Sequence, residues 1–369
     1  MHELIERLLF LQHFGNLLSR ELAQQIHDLF DDIIAELVKL DPTGVQRRYR
    51  EGRRELLMRR TTDRVRRWLP SFDGHARDRL AVLGRQQAVL AEERLIATLG
   101  TVDLEGEVRS TPITQARMRA ILNTEPFEGR VLKGHTRKLG ENVVDRVGVQ
   151  VRLGIAREES VDDIVRRIRG RRAGRGFTGG VMQTTTREAE ALARTAVTFT
   201  SNQGMLGTFR ANETLLAGVR YVATLDDRVT LLCASLDGET WSVNDPDIVI
   251  PGEATHFNCR SVLVPVVDWS QFGLDAPPPG DRLARDLSGL TDEELGHRIS
   301  VRRRKGELGS VPRVSSNTRR EQWLRRQPVR VQEEIMGRRR AELFRRGELT
   351  LKQMVTRDLR VLNLEELGV

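Results

Sequence analysis

The chain has little of several things that usually declare a function. Two cysteines, Cys233 and Cys259, stand in 369 residues. That excludes a disulfide framework, and the thiols of an intracellular protein are ordinarily kept reduced. Aromatic residues make up 5% of the chain, so aliphatic side chains must fill the core. No apolar run approaches the length that crosses a bilayer. The start, MHELIERLLFLQHF, carries early acids and lacks the basic opening and small-residue cleavage site of a secretory signal. Synthesis in the cytoplasm and no membrane partner are the expectation. Lysine is scarce too, at positions 39, 133, 138, 305 and 352 only, although Lys and Arg together number 60.

The positive charge is therefore almost all arginine. Against 52 acids it leaves a net charge of +8. Guanidinium forks pair with phosphate or carboxylate at two points. A polyanion partner, nucleic acid or an acidic protein surface, is one reading. An arginine-favouring codon bias with ordinary surface pairing is the other. The clusters to watch lie near 47–67, 166–175 and 302–346. The residues singled out for phosphate or acidic-surface contact are Arg47, Arg48, Arg53, Arg54, Arg166, Arg167, Arg171, Arg172, Arg302, Arg303, Arg338 and Arg339.

Periodicity makes the chain mainly α. Leu4, Leu8, Leu11, Phe14, Leu18, Leu22, Ile26, Leu29, Ile33 and Leu37 recur every three or four positions and predict one long helix to about residue 40. Basic helical sequence follows over 43–68. LPSFDG at 69–74 predicts a break, and a further helix covers about 75–98. In ESVDDIVRRIRG, Ser160 and Asp163 have capping-box spacing and Gly170 can end the helix. The glycines of RRAGRGFTGG, 171–180, fit neither a P-loop nor a dinucleotide fingerprint. The stretch reads as a mobile connector with a basic face. Thr185 and Glu188 suggest the start of the next helix.

Residues 219–267 change character. VRYVAT and SVLVPVV have the β-branched content of strands. Asp226 or Asp227 can cap a short helix carrying Cys233, and Asp237-Gly238 signals a tight turn before ETWSV. The expected organisation is an N-terminal helical arm (1–100), a core (101–273) with a small α+β Cys/His unit at 219–267, a Pro-rich linker (274–282) and a basic helical C-terminal segment (283–369). In that last segment Thr291 and Glu294 form another capping pair.

His256 and Cys259 sit three apart, with Cys233 upstream. Two thiols and an imidazole are zinc ligand types, although a closed structural site takes four ligands. Asp226, Asp227 or Asp237 can offer a fourth. A small core with packed thiols explains the same residues. A zinc hydrolase or nuclease, with Asp237 or Glu239 as base, is the catalytic alternative. It lacks a second histidine in this unit, so the reading is not an enzyme and no catalytic residue is assigned.

The run Tyr221-Val222-Ala223-Thr224-Leu225-Asp226, then Arg228, Thr230, Cys233, Leu236-Asp237-Gly238, and finally His256-Phe257-Asn258-Cys259-Arg260-Ser261 with Val264-Pro265-Val266, resembles tailed-phage head morphogenesis proteins. These minor head or minor capsid proteins include the F protein of phage Mu. Arg194, Thr195 and Asn202 resemble the family's approach to the motif. EQWLRRQPVRVQEEIMGRRRAELFRRGELTL resembles the tail of a podovirus-type subgroup. The resemblance covers roughly 120–360. Many members have a Cys-x-x-Cys pair and end in Cys-Arg-Cys, where this chain has Thr230 and Ser261. The proline pair that often precedes the histidine is replaced by Gly252-Glu253-Ala254-Thr255.

The resemblance implies a low-copy structural component inside the capsid at the portal vertex. Its implied work is head assembly, DNA packaging or DNA delivery, and ejection with the genome is a variant of that role. The implied partners are the portal protein, other capsid proteins and double-stranded DNA bound without sequence preference. The motif residues Asp226, Arg228, Asp237, Gly238, Asn258 and Arg260 are expected around the Cys233, His256 and Cys259 staple, with structural zinc as the one cofactor to consider.

Overall fold

The computed structural model describes residues 3–41, 47–100, 108–109, 113–174, 176–278, 280–284 and 313–368. Among these the protein is mainly helical, with ten α-helices and small sheets. None of the described helices is long and apolar enough to cross a membrane. The chain folds as two compact units, each assembled from separated segments. One contains Met1–Leu11, Gln87–Pro112 and Ser201–Val369, and the other Gln12–Gln86 and Ile113–Thr200.

The second of these is a helical unit. It uses α1 (Glu3–Leu40) from residue 12, α2 (Arg47–Gly100) up to residue 86, α3 (Gln115–Thr124), α4 (Leu132–Ala156), α5 (Val161–Arg169) and the first part of α6 (Gly180–Ala211). The leucine stripe of α1 does what its spacing demands, and Leu18, Leu22, Ile26, Leu29, Ile33 and Leu37 are all buried. Leu57, Val65 and Phe72 of α2 and Val143, Val147 and Val151 of α4 are buried in the same unit. α5 opens with the Ser160–Asp163 capping box and ends at Gly170, as its sequence predicts.

Three local expectations need correction. LPSFDG does not break the chain, because α2 runs unbroken through Pro70. Phe72 is fully buried and lies against Trp68, whose indole N–H donates to Gln25 O at 3.2 Å. That tertiary packing outweighs the lost donor of one proline. Thr185 caps nothing: α6 already begins at Gly180, and the buried Thr185 hydroxyl donates to Val181 O at 3.0 Å. Nor is 171–180 only a connector. Strands β1 (Arg171–Ala173) and β2 (Gly176–Thr178) pair antiparallel, with Arg171 opposite Thr178.

The other unit carries the small sheet. Strands β3 (Leu216–Val222), β4 (Thr240–Trp241) and β5 (Val262–Val267) lie in the order β4-β3-β5, all antiparallel. Tyr221 faces Leu263 in register, and Pro265 falls on an edge strand, where its missing N–H leaves no ladder bond unmade. Helix α7 (Leu231–Leu236) follows β3. The ribbon β6 (Asp281–Leu283) with β7 (Arg313–Ser315), then α8 (Arg320–Arg325), α9 (Val329–Met336) and α10 (Arg338–Arg346), complete the unit. One continuous apolar cluster joins them, from Tyr221, Leu232 and Cys233 to Trp323, Val331 and Phe344. The expected capping pair Thr291 and Glu294 lies outside the described residues.

Candidate functional site

Cys233 sits in the first turn of α7. Its helix is capped by Thr230, whose hydroxyl accepts from the Cys233 N–H at 3.3 Å. The expectation that Asp226 or Asp227 caps this helix is therefore wrong. Threonine at 230 takes the cap because it stands where the extended chain turns helical. His256 and Cys259 come from the loop before β5. Asn258 between them has φ of 63°, the left-handed region that asparagine tolerates better than most residues. This turn exposes Phe257 and sends His256 and Cys259 inward to the same point.

There the three side chains meet. Cys233 Sγ lies 3.0 Å from His256 Nε2 and 3.8 Å from Cys259 Sγ. Nδ1 of His256 is 2.8 Å from Phe257 O. A carbonyl only accepts, so Nδ1 carries a proton, and Nε2 is the ring nitrogen that faces the thiols. Both cysteines are 1% exposed. Tyr221 roofs the pair, donating its hydroxyl to Cys233 Sγ at 3.1 Å. Burial first, then the two cysteines, push its phenol well above the ordinary range, so it keeps the proton it donates. Cys259 is pulled well down, because its thiolate accepts a hydrogen bond from Cys233 and sits beside His256. That same hydrogen bond and burial push Cys233 up.

The remaining motif residues build the frame around this point. Asp226 and Arg260 form a two-point ion pair at 2.5 and 2.9 Å. Burial alone would raise the Asp226 carboxyl, but Arg260 overrides it and holds it well below the usual carboxylate range. Arg228 is exposed and contributes its backbone N–H to Asp226 at 2.9 Å. Asp237 is a hub. It accepts from Ala223 N at 2.8 Å, Arg282 Nη2 at 2.9 Å, Arg282 Nη1 at 3.1 Å and Arg320 N at 2.7 Å. Gly238 takes the turn at φ of 90° and returns its N–H to Tyr221 O at 2.8 Å.

Some members of this unit had no local signal. Arg7 is 1% exposed and reaches Leu263 O at 2.9 Å, Ser201 Oγ at 3.1 Å and Gln87 Oε1 at 3.1 Å. Burial and then Arg94 lower it to about 9. Asn202 Oδ1 accepts from Leu263 N at 2.8 Å and so pins β5 from α6. Arg282 and Arg320 lie 45 and 83 positions from the Asp237 they serve. A buried arginine inside a stripe of leucines, as at Arg7, is the one clue a sequence could have offered.

The arginines singled out for anions scatter. Arg54 pairs with Glu51 at 3.1 Å, and Arg53 donates to Asp41 O at 3.1 Å. Arg339 pairs with Glu342 at 2.9 Å, and Arg338 is exposed. Arg302 and Arg303, and the side chains of Arg47 and Arg48, lie outside the described residues. Arg166, Arg167 and Arg171 come together around one cavity, whereas Arg172 is exposed on the hairpin.

No curated protein and no solved structure matches the chain. Residues 145–264 do match a family model, described as phage Mu protein F like protein. The match contains α6, the sheet's central strand, α7, Cys233, His256 and Cys259, and it supports the resemblance drawn from the Tyr221–Val266 motif. Over that segment the chain is similar to the phage Mu F-like proteins, the family that the motif residues resemble.

Proposed function

We propose that the protein is a low-copy structural component of a phage head, held at the portal vertex and acting in assembly, packaging or delivery of DNA. The match over residues 145–264 supports the coarse role, head morphogenesis, and with it a place among other head components in the virion. The portal, packaging and DNA-contact parts are our reading. The observation that carries a structural role is the inward-facing Cys/His point. Two almost fully buried thiols, a buried tyrosine and an imidazole tie β3, α7 and the loop before β5 together. A staple uses that geometry. A hydrolytic site would need a face open to substrate, so we read the protein as non-enzymatic.

The donor set also fits a structural zinc ion. Ligand atoms of Cys233, His256 and Cys259 all lie within 4.8 Å of one another, and Nε2 of His256 is the nitrogen left to bind. These three residues would hold the ion, and its contribution would be a cross-link. Ser261 and Thr230 occupy the places where the family often has two more thiols, so a fourth ligand would come from elsewhere.

Quantitative mass spectrometry of proheads, filled virions and ejected particles tests the role. A low fixed copy number in all three supports the portal-vertex reading. Presence in filled virions and loss after ejection would replace it with delivery. Metal analysis and melting of His256→Ala test the staple, which fails if both match wild type. Plasmid cleavage with divalent metals that vanishes in Cys233→Ser would overturn the non-enzymatic reading.

A further inference from the structure

The helical unit contains a cavity of about 480 Å³, within the usual range of small-ligand sites. Arg146 and Gln150 line it from α4, Arg166 and Arg167 from the last turn of α5, and Arg171 and Thr178 from the hairpin. Gly179, Gly180, Val181 and Thr184, at the start of α6, close it. Four guanidinium groups thus face one space, and no acid lines it.

The bland account is that α5 carries basic residues in its last turn to suit its negative end, and that each pairs with a nearby acid. The pairs exist, and their acids are not among the residues that line the cavity. Arg146 makes two bonds to Glu188 at 2.8 and 2.5 Å, Arg166 meets Asp163 at 2.9 Å, and Arg167 meets Glu159 and Gln150 O. Such pairing holds the forks of Arg146 and Arg167 in place at the edge of the space. Two features remain that the pairs do not explain. Arg171 is exposed and has no ion pair among the described residues. The buried Nε of Arg167 has no hydrogen-bond partner among them either.

The floor of the cavity is built for close approach of backbone. Gly170 and Gly180 have φ of 99° and 78°. A Cβ on Gly180 would stand 2.6 Å from Gly170 N and 2.8 Å from Arg167 O, nearer than real side chains come. Only glycine lets the end of α5 and the start of α6 meet here. The first turn of α6 brings backbone N–H groups without intrahelical partners to the same space, at the positive end of a 32-residue helix.

We propose that this cavity is a phosphate site. A phosphate group offers three or four acceptor oxygens in a tetrahedral array, which suits several arginine forks, threonine hydroxyls and a helix start converging from different sides. A DNA backbone phosphodiester and a free phosphate or pyrophosphate share that chemistry. The assignment rests on the cavity alone and does not depend on where in the virion the protein sits.

The test uses the full-length protein and three variants: Arg171→Glu, Arg166→Ala and, as a control at an exposed arginine outside the cavity and the arginine clusters, Arg357→Glu. Calorimetric titration with inorganic phosphate and pyrophosphate forms one arm. Fluorescence anisotropy with a short DNA duplex across a salt series forms the other. Arg171→Glu and Arg166→Ala each weaken binding about 10-fold or more, the scale of one charge-assisted hydrogen bond, with unchanged melting. Arg357→Glu leaves binding as in wild type. Loss confined to the phosphate and pyrophosphate arm assigns the site to free phosphate. Loss in the DNA arm, with a salt slope reduced by about 0.9 per phosphate contact, assigns it to the nucleic-acid backbone. Binding of neither probe, or losses in Arg171→Glu no larger than in Arg357→Glu, overturns the proposal.

Discussion

Replacing Asp237 with asparagine should melt the sheet-bearing unit early, and the structure sets the scale. The Asp237 side chain is 1% exposed and that of Arg282 is 4% exposed. All four bonds that Asp237 accepts come from N–H donors. Asparagine keeps the shape but turns one acceptor into a donor facing donors, and it leaves the Arg282 cation buried without its counter-charge. Breaking such a pair costs about 3–5 kcal/mol. At about 2–4 °C per kcal/mol for a unit of this size, the melting temperature falls by roughly 6–20 °C. Arg330→Ala removes a pair with Glu334 that is 41% and 38% exposed and should leave the melt where it was. The assay is differential scanning calorimetry of wild type, Asp237→Asn, Arg282→Met and the double variant Asp237→Asn/Arg282→Met. The double variant should lose less than the sum of the two singles, because the Arg282 cation is then no longer left facing an amide. An Asp237→Asn shift under 2 °C, or a double variant as unstable as the sum of the singles, would refute the hub.

Other expectations follow from the same geometry. Asp226 is held below its ordinary pKa by Arg260, so its stabilisation is fully present above the unfolded carboxylate range and disappears as pH falls through the folded value. The stability gap between wild type and Asp226→Asn, about 1–2 kcal/mol at pH 7 for a bidentate pair, should narrow steadily in denaturant melts taken from pH 5 to pH 2. A constant gap would remove Arg260 as the cause. Pro70→Ala restores a donor inside α2 and should stabilise the helical unit by about 2 kcal/mol in urea unfolding, the helix gain less the looser unfolded chain. Tyr221→Phe deletes a hydroxyl that donates to Cys233 and leaves the ring in place. It should cost about 1–2 kcal/mol and speed modification of the two buried thiols, followed with a chromogenic disulfide reagent.

What the sequence made legible depended on how far apart the cooperating residues stand. The α1 stripe, the Ser160–Asp163 box and the turn at Asp237-Gly238 are local patterns, and each appears where its spacing puts it. Cys233, His256 and Cys259 were legible as a set because their chemistry is rare in this chain, and the fold brings them within bonding distance. Pro70, Thr185 and the 171–178 hairpin were misread for one reason. Each carries a strong local signal that packing elsewhere overrides or completes, as buried Phe72 and the backbone contact of Gly170 with Gly180 do. The arginines were the least legible. Composition treats 171, 282 and 320 alike, yet Arg282 and Arg320 are buried struts on a carboxylate or carbonyl, whereas Arg171 faces open space beside a cavity. An arginine-rich chain therefore cannot be scored for anion binding by its net charge. The arginines that can serve a ligand are those whose donors remain after the protein's own acids and carbonyls have taken theirs. In this protein Arg171, at the cavity beside the start of α6, is an exposed arginine that meets that criterion.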